Sequence, residues 1–167
     1  SLVYKSSVLF GNLSIFKLFI DKMFMLAKNI EENIIIAIDM NYKDIVCYYF
    51  DNIYKIVPQY DQKFANNSLK HALKITETDD LLIYLIEKFK KINPKAINNN
   101  ALIKLLDNAC LYSNLLATKF LTDLILSEYP YTDFSNAFVK AVASGSNNIC
   151  YYFIEKKEGR NQKIFIF

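Results

Sequence analysis

Gly11-Asn12-Leu13-Ser14-Ile15-Phe16-Lys17-Leu18-Phe19-Ile20-Asp21-Lys22 is the stretch on which the reading of this chain turns. A small residue and a polar residue open it, an isoleucine starts an apolar run, and an acid closes the run. The pattern returns as Ile45-Val46-Cys47-Tyr48-Tyr49-Phe50-Asp51 and as Leu81-Leu82-Ile83-Tyr84-Leu85-Ile86-Glu87. Two more copies are Ala117-Thr118-Lys119-Phe120-Leu121-Thr122-Asp123 and Ile149-Cys150-Tyr151-Tyr152-Phe153-Ile154-Glu155. The first residue of each run serves as an anchor, at 15, 45, 81, 117 and 149, with steps of 30, 36, 36 and 32. The mean step of about 33.5 is the period of two-helix repeats.

The prolines keep the same phase. Pro58, Pro94 and Pro130 are all the prolines of the chain, and each stands 13 residues past its anchor. Proline breaks helix interiors by removing a hydrogen bond and clashing with the preceding turn. The three therefore mark one recurrent loop.

A second helix is predicted ahead of each anchor. It is marked by an apolar residue followed three later by a small one: Tyr4 and Ser7, Ile34 and Ala37, Leu69 and Ala72, Leu106 and Ala109, Phe138 and Ala141. Residues three apart share a helix face, and the small one allows a neighbouring helix to approach closely. In the third repeat the small residue lies nine rather than eight before the anchor, so one extra residue is expected in that turn.

Each unit reads as helix, short turn, helix and loop. One such unit cannot bury its apolar face alone, so units stack around a continuous core. The expected fold is all-α, an α-solenoid of about five stacked antiparallel helix pairs. The expected organisation is a single repeat domain over 1–167, with repeats near 2–27, 28–59, 60–95, 96–131 and 132–160. Residues 161–167, which include Ile164-Phe165-Ile166-Phe167, form a tail or a truncated repeat.

These residues together resemble the ankyrin repeat family over about residues 2 to 157. The family's first helix carries Leu-His-x-Ala-Ala, two variable residues and Gly, and its second carries Ile-Val-x-x-Leu-Leu. Phe138-Val139-Lys140-Ala141-Val142-Ala143-Ser144-Gly145 followed by Asn148-Ile149-Cys150-Tyr151-Tyr152-Phe153-Ile154 is similar to both. Gly11-Asn12-Leu13-Ser14-Ile15 is similar to the family's Gly-His/Asn-Leu-Glu-Ile. No repeat has Thr-Pro-Leu-His, whose threonine and histidine tie the family's turns, and the Asp-Gly of the β-hairpin finger is missing. The expectation is therefore ankyrin-like helix pairs with reduced or absent β-hairpins.

The resemblance implies a protein–protein interaction scaffold that binds its partner on the concave repeat surface, through the variable residues before each turn. The implied contact residues are Phe10, Asp39, Met40, Thr76, Tyr112 and Ser144. The alternative is a viral or effector-like protein that diverts a host factor through the same surface. Heavy use of Asn, Ile, Lys, Tyr and Phe fits an AT-rich genome, such as that of a protist, a large DNA virus or a low-GC bacterium.

Composition narrows the remaining classes. The chain is 53% hydrophobic and 22% charged, which suits a packed domain. A net charge of +3, with bases interleaved among acids, does not make a nucleic-acid footprint. No run of about 18 apolar residues occurs, so no membrane span is expected. Ser1 to Phe10 lacks the pattern of a secretory signal. Cys47, Cys110 and Cys150 are odd in number and widely spaced, which favours reduced thiols in a cytoplasmic protein, or in the host cytoplasm for an effector.

Catalytic chemistry is sparse. His71 is the single histidine, read as a partly exposed helix residue, and a histidine-based mechanism would need it inside a convergent polar cluster. Glu31-Glu32 and Asp79-Asp80 read as acids at helix starts, and Lys88 to Lys91 as a basic helix end. Three glycines cannot build a phosphate loop. Tyr48, Tyr84 and Tyr152 share one repeat position and read as core. The expectation is no enzyme, no catalytic residue, no cofactor and no metal, with another protein as partner.

Overall fold

The structure, a computed structural model, describes residues 8–22, 27–54 and 62–158. The described helices are α1 (Leu13–Lys22), α2 (Ala27–Asp39), α3 (Lys43–Tyr48), α4 (Gln62–Ala72), α5 (Asp80–Ile92), α6 (Asn99–Leu111), α7 (Leu115–Glu128), α8 (Ser135–Ala143) and α9 (Asn147–Glu158). A π-helical turn, Tyr49–Ile53, continues α3. No strand occurs among the described residues. Every anchor segment is helical, as the periodicity predicts, and each described apolar–small pair falls on the helix before its anchor. Tyr4, Ser7, Pro58 and the tail lie outside the described residues.

The chain divides into two compact units, residues 1–72 and 73–167, inside the segment read as the third repeat. In the first unit α2 packs on α3 and on α4, and α1 packs on α3. In the second, α6 packs on α7 and α8, while α9 packs on α8 and α7. Within each unit, first helices of successive pairs lie side by side, and so do second helices.

The turns inside the pairs explain this regularity. Gly11, Asn41, Ser113 and Gly145 all have positive φ, between 55° and 70°, and each stands four residues before its anchor. Glycine and asparagine tolerate this left-handed region best. At Asn41, Ser113 and Gly145 the backbone closes the first helix in one hydrogen-bond pattern. Tyr42, Asn114 and Ser146 N–H groups donate to Ala37, Ala109 and Ala141 carbonyls at 2.8–2.9 Å. Asn41, Ser113 and Gly145 N–H groups donate to Ile38, Cys110 and Val142 carbonyls. This double bond is the Schellman motif, which satisfies carbonyls that a helix end otherwise leaves unpaired. At these three turns the small residue of the seam thus also supplies the accepting carbonyl.

The third pair departs further than its one extra residue suggests. α4 stops at Ala72, and a linker that opens with a turn at Leu73 and Lys74 runs to Asp79 with no left-handed residue.

Pro94 and Pro130 occupy one loop geometry, each two residues past a helix end. Asn93 and Tyr129, which precede them, share one non-helical backbone geometry (φ −143°, ψ 89° and φ −137°, ψ 74°), outside the α region that a following proline ring disfavours. Their carbonyls accept from Ala96 and Thr132 N–H groups, closing turns with proline at the second position.

The core follows the anchors, with one exception. Ile45, Leu81, Ala117 and Ile149 are fully buried or nearly so, but Ile15 is exposed. In the first unit Tyr49, Phe50, Tyr54 and Phe64 make an aromatic cluster, with Phe50 stacked on Phe64 at 5.9 Å and edge-on to Tyr54. The π turn allows this. Tyr54 N–H bonds Tyr49 O, five residues back, so two rings that an α-helix would splay apart lie on one buried face.

Tyr48, Tyr84 and Tyr152 correct the core expectation. Each is half-buried with a lysine ammonium over its ring: Lys17 at 4.8 Å, Lys88 at 5.8 Å, and Lys119 and Lys156 at 5.9 and 5.6 Å. A phenol at the edge of a helix contact can bury its ring while a cation covers the exposed face.

Candidate functional site

The residues implied as contacts sit on the pair turns. Met40, Tyr112 and Ser144 each immediately precede a left-handed residue and cap α2, α6 and α8, and Phe10 holds the same place before Gly11. Phe10 is 82% exposed, and Met40 about half exposed. Thr76 is exposed on the linker of the third pair, away from any Schellman turn. Tyr112 is half-buried. Ser144 is engaged internally, its hydroxyl within donating reach of two carbonyls, Cys110 O at 2.9 Å and Ala141 O at 3.0 Å, which share its one proton. In the first unit Phe10, Asp39 and Met40 thus flank two successive turns. In the second, Tyr112 and Ser144 do so.

A second set of turn residues, all three before an anchor, ties one turn to the next. Tyr42 donates its hydroxyl to Leu9 O at 3.1 Å, and its ring covers Gly11 so closely that an added Cβ would meet it at 2.9 Å. Asn114, buried, donates to Leu73 O at 2.9 Å and Ile75 O at 2.7 Å while its side-chain oxygen caps Ala117 N–H at 3.0 Å. Ser146 shares hydrogen bonds with the Ser113 and Ser144 hydroxyls. Sequence reasoning missed these ties because three side chains of different chemistry meet the same need. The signal was the polar position itself: Asn12, Tyr42, Thr78, Asn114 and Ser146.

A groove of about 680 Å³ opens between α2 and α4 in the first unit. Glu31 and Glu32 stand on the α2 wall, Lys63 and Lys70 on the α4 wall, and Ile35 and Phe64 lie between them. The glutamates correct the helix-start reading. α2 begins at Ala27, so they lie in its second turn, away from the unpaired N–H groups, and face the groove instead. Asp79 and Asp80 do stand at the start of α5, and Lys90 and Lys91 at its end, where Lys90 bonds Glu128.

His71 is not remote from acids. Its Nδ1 lies 2.5 Å from Asp39 Oδ1, joining α4 to α2. Asp39 is therefore an internal partner as well as a turn residue. Ser68, one turn earlier on α4, is fully buried, and its hydroxyl makes no hydrogen bond, so it is not poised against the imidazole.

Two groups in the second unit have shifted acidity. Burial raises the Asp107 carboxyl above its ordinary range, opposed by the Asn136 amide that bonds it and by the nearby Lys140 ammonium. Burial likewise pushes the Cys110 thiol up to about 12, although Thr118 sits 3.9 Å from the sulfur. Thiolate is the reactive form, so at pH 8 Cys110 should alkylate about a thousandfold more slowly than an ordinary thiol. Iodoacetamide labelling read by mass spectrometry checks this: half-buried Cys47 and Cys150 label first, and Cys110 labels only on unfolding. Equal rates at the three would contradict the packing.

Among the described residues, no three His, Cys, Asp or Glu side chains are grouped to hold a metal ion, and no helix is long and apolar enough to cross a membrane. The fold and surface define a class: an all-helical protein of packed helix pairs whose turns carry exposed side chains. Compared with known protein families, characterised proteins and solved structures, the chain matches none.

Proposed function

We propose that the chain is a protein–protein interaction scaffold of ankyrin-like helix pairs stacked as a solenoid, acting in the cytoplasm and binding another protein on its concave face. One observation carries this reading. Phe10 and Met40 are large, apolar and exposed, yet each is held on a hydrogen-bonded turn. Exposed apolar side chains on a rigid frame lose little conformational entropy on binding, which favours contact anchors. The groove beside α2 supports it by offering acids on one wall and lysines on the other, a polar rim around an apolar floor. Diversion of a host factor by a viral or effector protein would use the same surface.

Neither an enzyme nor a nucleic-acid binder is favoured. The Asp39–His71 pair joins two helices, and the nearest hydroxyl on α4 is buried. Bases and acids face each other across the groove, which suits a mixed-charge polypeptide better than a phosphate backbone.

Affinity capture from the source cell, read by quantitative mass spectrometry, tests the reading. Phe10→Ala with Met40→Ala should lower recovery of the partner at least about tenfold, the effect of losing interface anchors. Both positions are exposed, so the variant should melt like the parent protein. Full recovery with the double variant would move the interface elsewhere.

A further inference from the structure

In each unit an acid on one first helix reaches across to the first helix of the next pair, and the two acids meet different partners. In residues 1–72, Asp39 of α2 meets His71 of α4, a group that can carry the opposite charge. In residues 73–167, Asp107 of α6 faces α8 and meets a neutral amide, Asn136 Nδ2, which donates to its Oδ2. Its other oxygen, Oδ1, is buried and has no hydrogen-bond partner.

Few charges act on this carboxyl. From α8, the half-buried Lys140 ammonium attracts it through space without bonding it. On α6 itself, Cys110 lies near enough to feel the carboxylate, but burial holds that thiol neutral, its pKa pushed up to about 12. Among the described residues α7, which also packs on α6, brings no charge that acts on Asp107. Burial is the largest influence and favours the neutral acid, while the Asn136 bond and Lys140 oppose it. A buried charge that lacks a partner costs more than a neutral hydroxyl that lacks one. The contact therefore fits a protonated Asp107 better than an ionised one.

We propose that Asp107 is a proton-operated clasp between α6 and α8, which seats α8 on α6 when neutral and loosens that contact when ionised. The clasp acts near the start of α8. The far end is held separately, by the Schellman turn at Gly145 and by the Ser144 hydroxyl, 2.9 Å from Cys110 O. Ionisation therefore bears on the Asn136 end. The folded chain binds the Asp107 proton more tightly than the unfolded chain does. The stabilisation that this proton brings is complete below the ordinary carboxyl value of 3.8, and it is lost as pH rises through the raised value. This inference does not depend on the partner-binding reading.

Two measurements on the full chain test it. Carbon-13 NMR of the aspartate carboxyls, with Asp107 assigned by the signal that Asp107→Asn removes, should give a titration midpoint above 3.8 in the folded protein. Urea unfolding of the parent chain and of Asp107→Asn at several pH values between 4 and 7 gives the second readout. Asparagine fixes the neutral state, so the unfolding midpoint of the variant relative to the parent should rise with pH. Other carboxyls titrate in both chains and cancel in this difference. An Asp107 midpoint at or below 3.8 overturns the proposal. So does a difference between the two chains that stays constant, or falls, as pH rises. The NMR titration uses the parent chain, so it decides the matter even where the variant folds poorly.

Discussion

Asn114→Ala is expected to cost the second unit about 3–7 kcal/mol of unfolding free energy, more than a typical surface change by far. Asn114 has one side chain and three buried duties. Its oxygen caps α7 at Ala117 N–H, and its amide serves the carbonyls of Leu73 and Ile75 in the preceding turn. Loss of an N-cap costs about 1 kcal/mol. Each buried carbonyl left without its donor adds about 1–3 kcal/mol. The residue is 1% exposed, so water cannot easily replace the amide. Urea unfolding followed by far-UV circular dichroism measures the loss. Asn114→Ser separates the parts: a serine hydroxyl restores the cap but does not reach the two carbonyls, so it should recover only about 1 kcal/mol. A loss below about 1 kcal/mol for alanine would mean that the turn ties carry no weight.

Phe50→Ala should remove about 3–5 kcal/mol from the first unit, the usual cost of a large cavity in a rigid core. Phe50 is fully buried and touches Tyr49, Tyr54 and Phe64 with ring centroids 5.1–5.9 Å away. Phe50→Leu refills most of the volume and should cost under half as much, because shape is lost while burial is kept. Both units carry tyrosines and helices, so hydrogen exchange in urea, read by mass spectrometry on peptides from residues 42–54 and 62–72, reports on this unit by itself. In the alanine variant these peptides should lose protection at a lower urea concentration than peptides of the second unit. An unchanged midpoint would contradict the packing of the π turn.

Much of the helix plan was readable in the residues. Anchors, small residues and prolines repeat in phase because each answers a local demand. An apolar run demands a buried face, a small residue permits close helices, and proline stops a helix. Pro94 and Pro130 show the strength of such local rules, since both loops have the same dihedral pattern. The extra residue of the third repeat was readable, but the length of its linker was not. α4 ends at Ala72 with no left-handed residue to close it, and nothing in the spacing announces how far the chain runs before α5 begins.

The candidate surface was less readable. Positions before the turns could be placed by register, but register does not tell an exposed Met40 from a Ser144 engaged with Cys110 O. Glu31 and Glu32 were misplaced because a helix start is hard to locate without a cap residue, and two residues of error turn a dipole partner into a groove wall. Tyr48, Tyr84 and Tyr152 share one position and read as core, yet the lysines over their rings come from neighbouring helices as well as their own.

By itself, the sequence determined that this protein is helical, which segments carry its described anchor helices, and where Pro94 and Pro130 stop them. Those properties depend on neighbours a few residues apart, and periodicity encodes them directly. Only the tertiary structure decided that Asn114 ties two turns, that Asp39 meets His71, and that a π turn gathers four aromatic rings. Each of these depends on groups about 14 to 41 residues apart, and a local pattern carries no record of them.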